Sequence, residues 1–407
     1  MLIYKLLGIV LLGASFAASA HEGHTSGGDR ETRLQKMWEK MRENKPQIGI
    51  SVSSDVKGKI WLARVENGHV LVTRSNDGGL QFEPPVTVNP EAESIISEGE
   101  SRPKIQVVAD RVYVSWTQNL SKPFSGSIRF SVSRDGGKSF EAPRTINDDG
   151  ATSIPHAFDT LLLDPSGKIT LLWLDKRESA ARQKKGESFI GTSVFYATSE
   201  DEGRTFGPNQ KLADNSCECC RLALAVDQQG TPLAMWRHVF GKNTRDFAFA
   251  RLDGRNAIHR VAEDEWSLDA CPHRGGALAA DNQNQVHAVW FTQGKKRQGL
   301  FYRRLNANGK PLSEPMGFGN KNAQAGHPAI LIQEANVHLS WREFDGKETH
   351  VMHMRSVDYG ANWSLPAKLA STPGAADYPQ LLQVKDQAKL FWNTAADGLL
   401  IRDLPAK

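Results

Sequence analysis

After its first twenty residues this 407-residue sequence has no run of about 18 unbroken apolar residues, the length a membrane-spanning helix needs, so no internal span is expected. A charge surplus is missing too. The 50 basic and 46 acidic side chains leave a net +4, and the basic residues are dispersed, which argues against a nucleic-acid or anionic-membrane surface. Cysteine is scarce, four in all, and the spacing makes neither a zinc-finger pair nor a C-x-x-C-H haem site. What the first twenty residues hold is a charged start at Lys5, a short apolar run from Leu6 to Ala17, and the small-residue stretch Ala18-Ser19-Ala20. That is the pattern of a secretory signal cleaved before His21, so an exported protein, secreted or periplasmic, is expected. Residues 21–46 read as a polar tail carrying His21 and His24, followed over 29–44 by a short amphipathic helix with Leu34, Met37, Trp38 and Met41 on one face.

The rest, 47–407, repeats itself. Ser75 to Phe82, Ser133 to Phe140, Ser199 to Phe206 and Ser356 to Trp363 all fit S-x-D-x-G-x-x-aromatic, with the acid at Asp77, Asp135, Asp201 and Asp358. Each box follows an alternating, strand-like run such as HVLVTRS or SIRFSVS, so each reads as a hairpin loop. Its carboxylate can accept amide protons inside the turn, and its glycine can take a backbone conformation closed to other residues. A loop explained this way needs no substrate. A second repeat places Trp61, Trp116, Trp173, Trp236, Trp290, Trp341 and Trp392 at the ends of seven apolar strands, 51 to 63 residues apart.

In these boxes the sequence resembles the Asp-box, or BNR-repeat, family of β-propellers, whose best-known enzymes are sialidases. The resemblance covers nearly the whole chain after residue 46. It implies an all-β fold, a single β-propeller with the boxes at the outer rim. Seven tryptophan strands predict seven four-stranded blades, with six, the sialidase number, as the alternative count. The last unit stops after its third strand, so its fourth strand is either borrowed from the N-terminal segment or omitted. The polar insertion KRESAARQKKGESF after Trp173 is expected to be a solvated loop or a lid.

In a propeller the innermost strands start or end at a central channel, so residues just ahead of them converge. That ring holds Arg102, His156, Cys217, Cys219, Cys220, Arg221, Cys271, His273, Arg274, His327 and Tyr378. All four cysteines lie in it, in consecutive repeats. Two readings are open. In an exported chain four cysteines fit two disulfides, although adjacent Cys219 and Cys220 make full pairing awkward. Thiolates and imidazoles at one mouth equally suit copper or zinc, with Cys217, Cys219, Cys220, Cys271, His273, His156 and His327 as candidate ligands. One disulfide with one two-thiol site is a mixture of the two.

The family resemblance adds a third reading. Sialidases clamp a substrate carboxylate with three arginines and use a tyrosine paired with a glutamate as nucleophile. Arg102, Arg221 and Arg274 are the candidate clamp here, and Tyr378 with Glu218 the candidate pair. Guanidinium forks match carboxylates bidentately. The last alternative is a rigid binding propeller for a protein, a glycan or a small anion, in which Arg237, His238, Arg245 and Asp246 crowd one hairpin and an Arg–Asp pair closes it. No other cofactor is expected.

Overall fold

The computed structural model describes residues 47–405 apart from 98, 100, 123 and 256. The expected signal, the histidine tail and the helix over 29–44 lie outside the described residues. The chain is all-β and antiparallel. Sequence-adjacent strands pair to give four separate four-stranded sheets, one three-stranded sheet and one eight-stranded sheet. The eight-stranded sheet is two successive repeats joined at a single pair, Ser216 with His238. Counted by repeat, these are units 1 to 7, and the three-stranded sheet is unit 7. The innermost strands are Ile50–Ser54, Lys104–Val108, His156–Leu163, Ala223–Val226, Ala277–Ala280, Gly326–Gln333 and Gln380–Val384. Each touches the next in turn, and the last touches the first. The Asp377 carboxylate accepts the Ile50 amide proton at 3.1 Å, and Gln380 accepts that of Val52 at 3.3 Å, which ties unit 1 to unit 7.

The seven repeat tryptophans are at most 3 % exposed, and each burial contributes on the order of 5 kcal/mol before ordering costs. Six of the indole N–H groups have a partner. They donate to Glu93, Asp175, His238, Asp264, Glu343 and the Asp377 carbonyl. Trp61 has none. A second repeat device sits at the turn leaving the innermost strand. There Asp55, Asp164, Asp227 and Asp281 each accept two amide protons from the residues two and four further on.

The four box loops are built as their residues imply. Asp135 takes the amide protons of Lys138 and Ser139, both at 3.0 Å, and the Ser133 hydroxyl at 2.8 Å, while Ser133 accepts the Gly137 N–H. Asp77, Asp201 and Asp358 repeat the pattern. The fifth residue of each box is a glycine with positive φ, from +76° to +98°. Its missing side chain lets the loop close on another unit: Gly137 on Trp61, Gly203 on Phe130, Gly360 on Tyr302, and Gly79 on Ile401 of unit 7. The boxes therefore join units as well as closing hairpins.

The insertion after Trp173 differs from expectation. It forms a helix, Arg177–Lys184, with Glu178 in its first turn and Arg182 and Lys184 in its last, charges that complement the helix dipole. Arg177 anchors it, ion-pairing with Asp148 at 2.7 Å and Asp175 at 2.9 Å and lying over the Phe195 ring. Among the described residues no helix is long and apolar enough to cross a membrane.

Candidate functional site

The outer strand of unit 3, Gln210–Ser216, is longer than the two-residue outer strands of units 1, 2 and 4. Its extra length carries the chain inward until Ser216 pairs with His238 of unit 4, and the Cys217 amide donates to the Arg237 carbonyl at 2.9 Å. The turn that follows packs three thiols together. Cys217 Sγ lies 3.4 Å from Cys220 Sγ and 3.9 Å from Cys219 Sγ, and all three sulfurs are within 4.8 Å of one another. The three side chains are at most 5 % exposed. Glu218 points out of the cluster and ion-pairs with Lys176 at 2.8 Å. Cys271 arrives from the segment leading into unit 5. It is exposed, and its thiol hydrogen-bonds with Cys219. All four cysteines are free thiols.

Two arginines bracket the cluster. Arg245 donates to the Cys217 sulfur at 3.3 Å, and its Nε donates to the Leu268 carbonyl at 2.6 Å. Arg237 is 1 % exposed, sandwiched between the Phe247 and Trp266 rings. It donates to the carbonyls of Arg245, Arg274 and Phe291. Among the described residues neither arginine pairs with a carboxylate. The hydrogen bonds that the Cys217 sulfur shares with Cys219 and Cys220, together with the charges of Arg237 and Arg245, hold its pKa well below the ordinary thiol range. Donation to Cys217 raises Cys219, and burial first, then Cys217, pushes Cys220 up to about 12. The unit is three converged sulfurs, one of them in contact with a guanidinium that no carboxylate meets among the described residues.

The hairpin reading of Arg245 and Asp246 is corrected by this geometry. Asp246 pairs with Arg260 at 2.7 Å and accepts amide protons from Asp264 and Glu265, while Arg245 turns to the thiols. Alternation explains the split, since neighbouring strand residues face opposite ways. Arg237 and Arg245 were legible as a crowded hairpin and not as partners of the cysteines. One signal would have found Arg237. The residue after each repeat tryptophan is Leu62, Thr117, Leu174, Arg237, Phe291, Arg342 and Asn393, and a charge there is out of pattern.

The expected histidines do not join the three sulfurs. His156 is fully buried with both ring nitrogens engaged, at 2.8 Å from the Gly126 carbonyl and 3.1 Å from Asp149. His327 lies flat on the Tyr378 ring, centroids 3.6 Å apart and planes 10° apart. His273 is exposed and outside the group of ligand atoms within 4.8 Å. The arginine clamp is likewise not assembled. Arg102 is buried against Asp377 at 2.6 Å, and its other donors go to the Gly99 carbonyl. Arg221 spans the ring to the carbonyls of Gly276 and Pro328, and Arg274 lies over the Phe291 ring. Glu218, occupied by Lys176, makes no pair with Tyr378. Tyr378 instead has the Arg102 and Arg342 guanidinium groups over its ring at 5.4 and 5.2 Å. Arg342 is a mouth residue that the sequence reading did not single out.

No family model and no curated relative matches the chain. Solved structures do resemble it in fold. An ulvan lyase of a new polysaccharide lyase family aligns at 12 % identity over 86 % of this chain and 92 % of that one, TM-score 0.51. The polysaccharide lyase Uly1 aligns at 11 % identity over 86 % and 88 %, TM-score 0.51. The Hadza microbial sialidase Hz136 aligns at 12 % identity over 86 % and 73 %, TM-score 0.49. At such identities the likeness concerns the fold alone, and the two lyase structures carry it.

Proposed function

We propose that the chain is an exported, seven-unit closed β-propeller whose channel-side loops hold one soft transition-metal ion on the thiolates of Cys217, Cys219 and Cys220, with Cys271 alongside. Copper(I) is the first candidate and zinc(II) the second. The carrying observation is the cluster of three buried sulfurs, 3.4 and 3.9 Å apart where they touch. Zn–S bonds of about 2.3 Å in a tetrahedron put sulfurs about 3.8 Å apart, close to the spacing already present. Soft thiolates favour such ions over magnesium or calcium. In an oxidising compartment, where free thiols tend to pair, a bound ion would also keep these four reduced. When bound, the ion would supply a thiolate-ligated centre for storage, transfer or electron exchange. The chain's own contribution is to keep three sulfurs converged and dry. The test is anaerobic titration of reduced apo-protein with Cu(I) or Zn(II), followed by the thiolate-to-metal absorption of each ion in the ultraviolet. About one tightly held ion is expected, lost in Cys219→Ser. Two fixed disulfides, with no metal held after reduction, would overturn the reading.

The second reading is an acidic glycan at the channel mouth. It is favoured by the His327–Tyr378 stack with Arg342 over the tyrosine, an aromatic face beside a cation. Ulvan lyases among the similar folds make ulvan the natural probe. Retardation in an ulvan-containing gel, relieved by Arg342→Ala, is expected; unretarded migration of the parent protein sinks the idea. Sialidase chemistry itself draws no support from arginines spent on internal partners.

A further inference from the structure

Resting on the metal reading, we infer that Arg237 and Arg245 are the built-in counter-cations of the thiol cluster, so that the site accepts soft ions only as thiolate complexes carrying two net negative charges. A guanidinium enclosed as fully as Arg237 needs a nearby anion, because removing a cation from water is costly and carbonyl dipoles compensate only in part. Its three acceptors are all main-chain carbonyls, its Nε has no partner, and no carboxylate comes to it or to Arg245 among the described residues. Among the described residues the acidic group that meets this pair is the Cys217 thiol, 3.3 Å from Arg245, whose carbonyl Arg237 holds.

Neutral thiols would leave two positive charges uncancelled, and a single thiolate would leave one. A monovalent ion on three thiolates cancels both, and so does a divalent ion on four. A divalent ion on two thiolates and two imidazoles carries no net charge and cancels neither, in keeping with histidines placed elsewhere. The ligand count thus follows the ion: Cu(I) uses the three buried sulfurs, whereas Zn(II) also recruits exposed Cys271. The arginines serve that recruitment too. Arg245 holds the Leu268 carbonyl and Arg237 the Arg274 carbonyl, the two flanks of the segment that presents Cys271. Both act on the ion through the sulfurs, as positioning residues.

The experiment uses reduced full-length mature protein and variants Cys271→Ser, Arg245→Met and Arg245→Lys, with Cu(I) and Zn(II) each buffered by a competing chelator. Cys271→Ser should leave Cu(I) affinity near the parent value and remove detectable Zn(II) binding. Arg245→Met should weaken both ions about 10- to 100-fold, the usual effect of losing a partner of a metal ligand. Arg245→Lys, which keeps the charge, should recover most of the loss. Arg245 is buried, so near-ultraviolet circular dichroism checks that each variant keeps the fold, and Arg245→Lys keeps the test open where Arg245→Met does not fold. Parent-like affinity for both ions in Arg245→Met overturns the countercharge role while the metal site stands. Equal loss of both ions in Cys271→Ser overturns the ligand-count rule. Failure of the parent protein to hold either ion defeats the metal reading itself.

Discussion

The Asp135 loop and the Cys217 loop are both tight turns of small polar residues, yet one is closed and the other is not. In the first, carboxylate, hydroxyl and glycine satisfy one another, and the design recurs at Asp77, Asp201 and Asp358. In the second, thiols face a cation that among the described residues meets no carboxylate, and no other unit repeats the arrangement among those residues. A turn whose polar groups are all met within itself is architecture. A turn that leaves charge uncompensated is where we propose a site. Repetition and completeness coincide here because architecture is what every unit needs, while a ligand needs only one place.

The sharpest way to break that contrast is to supply the proposed ion. A ligand present at a thousand times its dissociation constant stabilises a protein by about 4 kcal/mol. Saturating Cu(I) under reducing conditions should therefore raise the melting temperature of the parent protein and leave Cys219→Ser unmoved. An equal rise in both would place the ion somewhere else.

The rim can be broken by geometry alone. Gly360 has φ +78° and lies against the Tyr302 hydroxyl, so Gly360→Ala adds both backbone strain and a clash, about 3 kcal/mol together. Gly78, at φ +79° with open space around it, meets only the strain, about 1 kcal/mol. Urea unfolding of the two variants should separate by that difference. Equal losses would mean that the box glycines serve their own turn and do not join units.

Much of this was legible beforehand for one reason: a repeated feature is tested several times within one sequence. Four boxes identified the hairpins, and seven tryptophans marked the repeating units. The thiol cluster was legible as a convergence, since Cys217 and Cys271 occupy equivalent approaches in neighbouring units. What could not be read was direction. Whether His156 faces the thiols or the Gly126 carbonyl depends on a side-chain rotation that spacing does not encode. The same holds for Arg245, whose reach to sulfur rather than to Asp246 follows from strand alternation across a register the sequence leaves open. The helix Arg177–Lys184 was read as a solvated loop or a lid because its charged residues hide the anchoring role of Arg177.

Interior and rim should also part company on acidification. Burial lowers His238, His338 and His353 to about 4, so each is neutral in the folded protein at moderate pH. The unfolded chain takes up those protons from about pH 6.5 downward, so stability is full above 6.5, falls toward pH 4, and is flat for these groups below. The loss is on the order of 2 kcal/mol per ring once partial hydration is allowed for. His338 and His353 share a 3.1 Å hydrogen bond between their rings. A neutral amide in His353→Gln can keep that bond without titrating, and its stability-against-pH curve should be shallower between 6.5 and 4. A curve parallel to the parent's would show that the pair is not what acid attacks.

The rim carboxylates respond in a lower window and more weakly. Hydrogen bonds from Ser139, Ser133 and the turn amides outweigh burial and hold Asp135 at about 2, below the ordinary 3.8. A depressed carboxylate contributes stability above its unfolded pKa and loses it as pH falls through the folded value, here from about 4 to 2. Asp135 is exposed, so water screens the gain and less than about 1 kcal/mol is expected from it at neutral pH. Asp135→Asn keeps an acceptor for the turn amides while removing the charge. Its unfolding midpoint in urea should lie slightly below the parent's at pH 7 and merge with it near pH 2. A gap that persists at pH 2 would assign the role of Asp135 to shape rather than charge, and one as large as that of Gly360→Ala would undo the distinction between a loop that closes itself and the loop proposed to hold an ion.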